Sequence, residues 1–223
     1  MRARIDEVGR RPLGVSIRVY KFLSSEHALQ DIRQRRIKIS EIHDLNDPFE
    51  LIPCDLSDPL KRKAVLSTRD QLSGNRGLVC FASAWNNPVL WAHYSDKHRG
   101  ICLGLDVKDE VVMRIKYSEQ RIPWREPDLE FMKEILWTKF AGWRYEDEVR
   151  AYASRDDEEN GMYFKKLDDD FRLREVIVGH RCCVERGEIS AALASYAEPV
   201  SIIKACLSFT SFDVIEDTNG FTS

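Results

Sequence analysis

At 223 residues with 43% hydrophobic side chains, the chain is long enough to bury one substantial core, and a single domain is expected at this length. A formal charge of -3 gives no global field of the kind that marks a nucleic-acid or anionic-membrane binder. No apolar run reaches bilayer length and the first residues lack the apolar segment of a secretion signal, so a soluble, cytoplasmic protein with no membrane partner is expected.

Residues 1–14 carry Arg2, Arg4, Arg10 and Arg11 with little apolar content and read as a basic flexible arm. One domain is expected over 15–217 and a flexible tail over 218–223. Alternation predicts a strand at 15–22, and Ser24 or Ser25 then caps a helix to about residue 36. A short strand follows at 37–40, then a loop over 43–50. A polar helix over 58–73 is expected to stop at the turn Gly74-Asn75-Arg76-Gly77, before a strand at 78–82. Asn87-Pro88 has the form of a helix cap with proline at the first position, and Gly100 is read as that helix's stop. Strands are expected at 101–106 and 111–117, a helix at 128–140, a solvated loop at 156–161 and a strand at 174–179. A helix at 185–196 and one long or two short strands over 200–215 complete the chain. Helices separate the early strands while the late strands run together, which predicts a mixed α+β fold with a largely antiparallel sheet and flanking helices.

Cys80, Cys102 and Cys206 lie in apolar strand-like runs, where a free thiol behaves as a small hydrophobe, and six reduced cysteines fit a cytosolic chain. No C-x-x-C pair occurs, and His180-Arg181-Cys182-Cys183 has no metal-ligand spacing, so no metal site is assigned. The chain also lacks G-x-G-x-x-G and G-x-x-x-x-G-K-[ST], which disfavours a Rossmann or P-loop nucleotide site.

The segment from Trp143 to Ala153 is the most informative. Read as a strand, it puts Arg144, Glu146, Glu148 and Arg150 on one face, and a row of charges on an interior strand needs partners or a cavity. Read as a helix, Glu146 and Arg150 form an ordinary i,i+4 surface pair.

Four segments stand out together: Val19-Tyr20-Lys21-Phe22, Leu45-Asn46-Asp47-Pro48-Phe49-Glu50, Phe81-Ala82-Ser83 with Trp91-Ala92-His93-Tyr94-Ser95, and Tyr145-Glu146-Asp147-Glu148-Val149-Arg150. In this combination and order the chain resembles the bacterial family catalogued as domain of unknown function 2971, over about residues 20–179. The order of elements, with a strand ending in serine and a late Glu-x-Glu, also resembles the ADP-ribosyltransferase superfamily, including its branch that modifies nucleic acid in toxin and phage-defence systems. That resemblance implies NAD as substrate and a nucleic-acid or protein acceptor. It implies that Glu148 is the late catalytic carboxylate, holding a ribose hydroxyl and stabilising an oxocarbenium-like centre, with Glu146 beside the acceptor. Lys21 would take the early position, next to Tyr20, and Ser83 the middle one. Asn46, Asp47, His93, Tyr94 and Arg150 would complete the NAD-binding set. The early position is Tyr-Lys here, where the superfamily has Arg or His, and the middle triplet is Ala-Ser-Ala.

Each residue has a structural alternative. Glu146 and Glu148 serve equally as ion-pair partners of Arg144 and Arg150, Asn46 and Asp47 as turn formers before proline, and His93 as a satisfied helix histidine. Trp91, Trp137 and Trp143 suit a core or a pocket wall. Three functional readings follow. The first is an ADP-ribosyltransferase-like enzyme or NAD glycohydrolase. The second is a metal-dependent phosphodiesterase or nuclease holding magnesium or manganese on Asp47, Glu50, Glu146 and Glu148. The third is a non-enzymatic module that binds a nucleotide or partner.

Overall fold

The computed structural model describes residues 15–155 and 158–221, so the predicted basic arm lies outside the described residues. β1 (Ser16–Leu23) leads into α1 (Ser25–Gln34), whose first turn is capped by Ser24 Oγ accepting from His27 N, and Arg35 at φ 50° ends it. β2 (Arg36–Ile39) and a 3-10 turn at Ile42–Asp44 precede α2 (Pro59–Asn75), capped by Asp58. The predicted stop at Gly74 is absent: α2 runs on through Asn75 and passes directly into β3 (Arg76–Ala82). α3 (Pro88–Tyr94) starts as expected, with Asn87 Oδ1 accepting from Val89 N.

β4 (Ile101–Lys108) follows, and the strand expected at 111–117 is broken into a 3-10 turn, β5 (Met113–Arg114) and β6 (Lys116–Ser118). α4 (Leu129–Trp137), capped by Asp128, ends three residues early because β7 (Thr138–Phe140) pairs in parallel with β6. The charged segment divides. Ala141–Glu146 is a 3-10 turn, Asp147 sits in the left-handed region at φ 41°, and only then does β8 (Glu148–Ser154) begin. β9 (Glu158–Glu159) and β10 (Met162–Lys166) form a hairpin where a loop was expected. Its two turn residues, Asn160 (φ 53°) and Gly161 (φ 76°), are the pair that a tight hairpin with positive φ favours. β11 (Phe171–Val178), α5 (Arg186–Ala192), β12 (Ser201–Leu207) and β13 (Val214–Glu216) complete the described chain, and Phe221 packs against the large core.

The result is a mixed α+β architecture. Eight strands form one sheet in the order β13-β12-β11-β4-β1-β3-β8-β5, antiparallel except for the β11/β12 pair. One face buries Val19, Leu103, Leu105, Val149 and Val176 against Ala28, Leu29 and Ile32 of α1 and Ile189 of α5. The other face buries Phe22, Ala82 and Cys102 under Leu90 and Trp91 of α3, with the Phe22 and Trp91 rings edge to face at 5.1 Å. α2 and α4 pack beyond, over β3 and β8.

Two features of this sheet matter for the site. β1 pairs with β4 over its whole length, yet meets β3 at a single register pair, Tyr20 with Ala82. The sheet is therefore split along the β1/β3 seam. Gly100 does not end α3, as the sequence suggested; it sits where β1 ends and β4 begins, and a Cβ there would lie 2.0 Å from the Leu23 carbonyl oxygen and 2.5 Å from Ser95 Oγ. Because the neighbour is backbone, Gly100→Ala is expected to lower the unfolding free energy by about 3 kcal/mol, read by urea titration; an unchanged midpoint would show that the seam's flank yields freely.

Candidate functional site

Side chains alternate across a strand, so the register assigns them to faces. Tyr20 lies opposite Ala82, Ala82 opposite Glu148, and Cys80 opposite Arg150. Tyr20, Phe22, Cys80, Ala82, Glu148 and Arg150 consequently share the face that α3 partly covers. Past the Tyr20–Ala82 pair the two strands part, and Lys21 Nζ reaches across the gap to the Cys80 carbonyl at 3.3 Å. On the far side of the gap Ser40 and Leu78 exchange backbone hydrogen bonds at 2.8 Å. A cavity of about 250 Å³ fills the opening, walled also by Asp44, Leu45 and Asn46 from the loop after β2 and by Leu90 and Tyr94 from α3.

Its floor is a buried charge cluster. Arg150, 1% exposed, donates from Nε and Nη2 to Glu148 at 2.8 and 3.0 Å, and from Nη1 and Nη2 to Glu50 at 2.7 and 3.1 Å. Lys139 Nζ bridges Glu146 at 2.5 Å and Glu148 at 3.0 Å. Tyr94 Oη donates to Glu146 at 2.5 Å, and Asn46 Nδ2 donates to Tyr94 Oη at 3.5 Å. A planar guanidinium gripped by two carboxylates is the geometry that offsets the cost of burying charge, which single contacts rarely do. Three carboxylates face two buried cations, and the remaining cation lining the cavity is Lys21.

The electrostatics follow from this. Burial alone pushes the Glu148 carboxyl up, but the charges of Arg150 and Lys139 outweigh it and hold the pKa at about 2. Burial lowers Lys139 while Glu148 and Glu146 raise it more, so it stays charged. Burial and then the Glu146 hydrogen bond push the Tyr94 phenol up, keeping it a donor. Burial and Glu148 likewise push the Cys80 thiol up, so it is no nucleophile at neutral pH.

Of the residues singled out from sequence, Tyr20, Lys21, Asn46, Tyr94, Glu146, Glu148 and Arg150 line this cavity. Glu146 does so from the 3-10 turn rather than from the strand, and Arg144 is exposed, its guanidinium 6.0 Å from the Tyr117 ring. Asp47, Ser83 and His93 do not line it. Asp47 Oδ1 accepts from Phe49 N and its carbonyl from Glu50 N, the turn that swings Glu50 onto Arg150. Ser83 Oγ donates to the Asp147 carbonyl at 2.9 Å and accepts from Arg114, pinning the bend between Glu146 and Glu148. His93 is exposed, with Nδ1 3.0 Å from Tyr145 Oη.

Sequence reasoning missed Lys139, placed inside a helix, and saw Glu50 only as a metal ligand. The one signal for Lys139 was a solitary charge in the run Ile135-Leu136-Trp137-Thr138-Lys139-Phe140. Among the described residues no group of three or more His, Cys, Asp or Glu side chains is arranged to hold a metal ion. No helix among them is long and apolar enough to cross a membrane. No family model, curated protein or solved structure matches the chain.

Two outcomes are expected. Arg150→Leu leaves Glu50 buried without the guanidinium that pairs it, and Glu148 with Lys139 alone, and should cost about 3–5 kcal/mol in a denaturant titration; a loss of under about 1 kcal/mol, the range of an exposed pair, would contradict the buried cluster. Glu148, with its folded pKa below the ordinary 4.5, contributes stability that is fully present above that value and disappears as pH falls through about 2. Unfolding free energy should therefore decline from about pH 5 toward pH 2, and Glu148→Gln should decline less steeply over the same range.

Proposed function

We propose that the chain is an ADP-ribosyltransferase-like enzyme or NAD glycohydrolase that binds NAD in the seam between β1 and β3. The observation that carries this reading is the ionised Glu148 in the wall of a cavity opened by a split sheet, beside aromatic and hydroxyl groups from distant parts of the chain. A cavity of about 250 Å³ falls just under the usual range of about 300–1,000 Å³ for whole-ligand sites, so it suits the nicotinamide riboside half with the rest of the dinucleotide at the mouth.

In this reading Tyr20 and Tyr94 offer ring faces and hydroxyls to the nicotinamide end, and Lys21 offers charge to the phosphates. The C–N bond between ribose and nicotinamide breaks, and nicotinamide leaves with the electron pair. Glu148, kept anionic by Arg150 and Lys139, stabilises the cationic ribose carbon. Water, or a hydroxyl, amine or base of an acceptor, then adds to that carbon and gives up its proton; Glu146 stands beside it for that task.

One observation favours the non-enzymatic binding module. Glu148 already accepts three hydrogen bonds from Arg150 and Lys139, of about four that a carboxylate can take, and the Cys80 thiol also bonds to it, so a ribose hydroxyl would have to displace a partner. The test separates the two. Purified protein incubated with NAD should release nicotinamide, and Glu148→Gln, verified as folded by circular dichroism, should reduce the rate by about 10²–10³-fold. NAD binding with no nicotinamide released would select the binding module, and no interaction with NAD would remove the enzyme.

A further inference from the structure

α1 buries four residues, Ala28, Leu29, Asp31 and Ile32, and one of them is a carboxylic acid. Asp31 is 4% exposed, and its Oδ2 has no hydrogen-bond donor among the described residues. A buried polar atom without a partner is costly, and folded proteins keep few of them.

The charged and titratable groups around Asp31 come from three places. β2 contributes Arg36 and Lys38, the segment after α5 contributes Tyr196, and β1 contributes Lys21. β4 and α5 face α1 with apolar side chains, Leu103 and Ile189 among them. Most of the polar neighbours are committed elsewhere. Arg36 is held by Glu159 and lies over the Phe164 ring, and Tyr196 donates to the Ile32 carbonyl. Arg35, at the end of α1, is turned onto the Ser195 carbonyl and the Tyr196 ring. Lys38 is exposed, and its backbone amide donates to the Asp31 carboxyl.

Lys21 is not committed in this way. It alternates with Tyr20 and Phe22, which face α3, so its side chain leaves β1 on the α1 side of the sheet. Its Nζ then turns into the seam, where it donates to the Cys80 carbonyl at 3.3 Å and joins no ion pair among the described residues. Burial pushes the Asp31 carboxyl up to about 7, and the charge that opposes this shift most is that of Lys21, ahead of Arg36. An unpaired acid thus lies behind the lysine, and an open cavity lies in front of it.

We propose that Asp31 is a positioning residue for Lys21: its ionised carboxylate draws the ammonium back under α1, and its neutral acid releases the ammonium to the phosphates of a nucleotide in the seam. This rests on the reading of the seam as a nucleotide site. The four-carbon stem of a lysine lets one ammonium serve either anion, but not both. When a diphosphate takes Lys21 at a pH where Asp31 is ionised, the carboxylate is left buried and unpaired and takes up one proton from solvent. Nucleotide affinity is therefore coupled to pH across the neutral range, through a group that does not touch the ligand.

Calorimetric titration with ADP-ribose, whose diphosphate keeps its charge across the range and which has no nicotinamide to lose, tests this. Wild-type affinity should fall about tenfold from about pH 6 to about pH 8, with proton uptake on binding seen by comparing buffers of different ionisation enthalpy. Asp31→Asn should bind at both pH values about as tightly as the wild type does at the lower one. Lys21→Met should bind weakly at both. Without ligand, the carboxyl carbon resonance that Asp31→Asn removes should titrate near neutral pH, and should titrate at higher pH in Lys21→Met. Should Asp31→Asn misfold, the same comparison of wild type with Lys21→Met decides, and a set of carboxyl titrations unmoved by Lys21→Met would overturn the proposal. Wild-type affinity that is constant with pH, or that falls equally in Asp31→Asn, would overturn it and leave the nucleotide site standing. ADP-ribose bound with the expected pH dependence while NAD stays uncleaved would remove the enzyme and support the role of Asp31. No binding of ADP-ribose at either pH would overturn that role.

Discussion

A guanidinium with 1% exposure can be kept in a protein interior only if carboxylates surround it, and much of the site follows from that requirement at Arg150. Glu148 meets it from the same strand, two residues away on the same face. Glu50 meets it from 100 residues upstream, delivered by the turn that Asp47 holds. Lys139 then becomes necessary, because Glu50, Glu148 and Glu146 together carry more negative charge than Arg150 can balance. Loop, strand and 3-10 turn are thus fastened to one another by charge, in a region where the sheet itself is incomplete.

That incompleteness gives the cluster something to face. Had β1 and β3 paired along their length, the charges would abut a closed sheet with no room for a ligand. The single Tyr20–Ala82 register pair leaves a gap instead, and the loop after β2 and the end of α3 wall it. Phe22 and Trp91 brace one flank of the seam, while the close approach at Gly100 fixes where β1 must stop. The packing of the core and the opening of the cavity are therefore parts of one arrangement, with Arg150 at its base.

How much of this could be read from the chain depended on how local each signal was. Helix starts at Ser24, Asp58, Asn87 and Asp128 were legible because a capping side chain acts within three residues. That Glu146, Glu148 and Arg150 converge on a cavity was legible from charge in an apolar setting. Their conformation was not: the left-handed bend at Asp147 is imposed by contacts from Ser83, 64 residues away. Lys139 and Glu50 were illegible as members of the cluster because their partners are set by tertiary packing. Asn160-Gly161 was the reverse case, a local hairpin signal hidden among acidic neighbours. Asp47, Ser83 and His93 matched a pattern of residue types yet hold turns and surface contacts outside the cavity.

The proposed chemistry requires a nucleotide in the seam between β1 and β3. A crystal structure of the protein with a non-hydrolysable NAD analogue, one whose nicotinamide cannot leave, tests that directly. Density for the nicotinamide riboside end is expected in that seam, within hydrogen-bond reach of Glu148. An analogue bound elsewhere, or a seam left empty at saturating concentration, would contradict it.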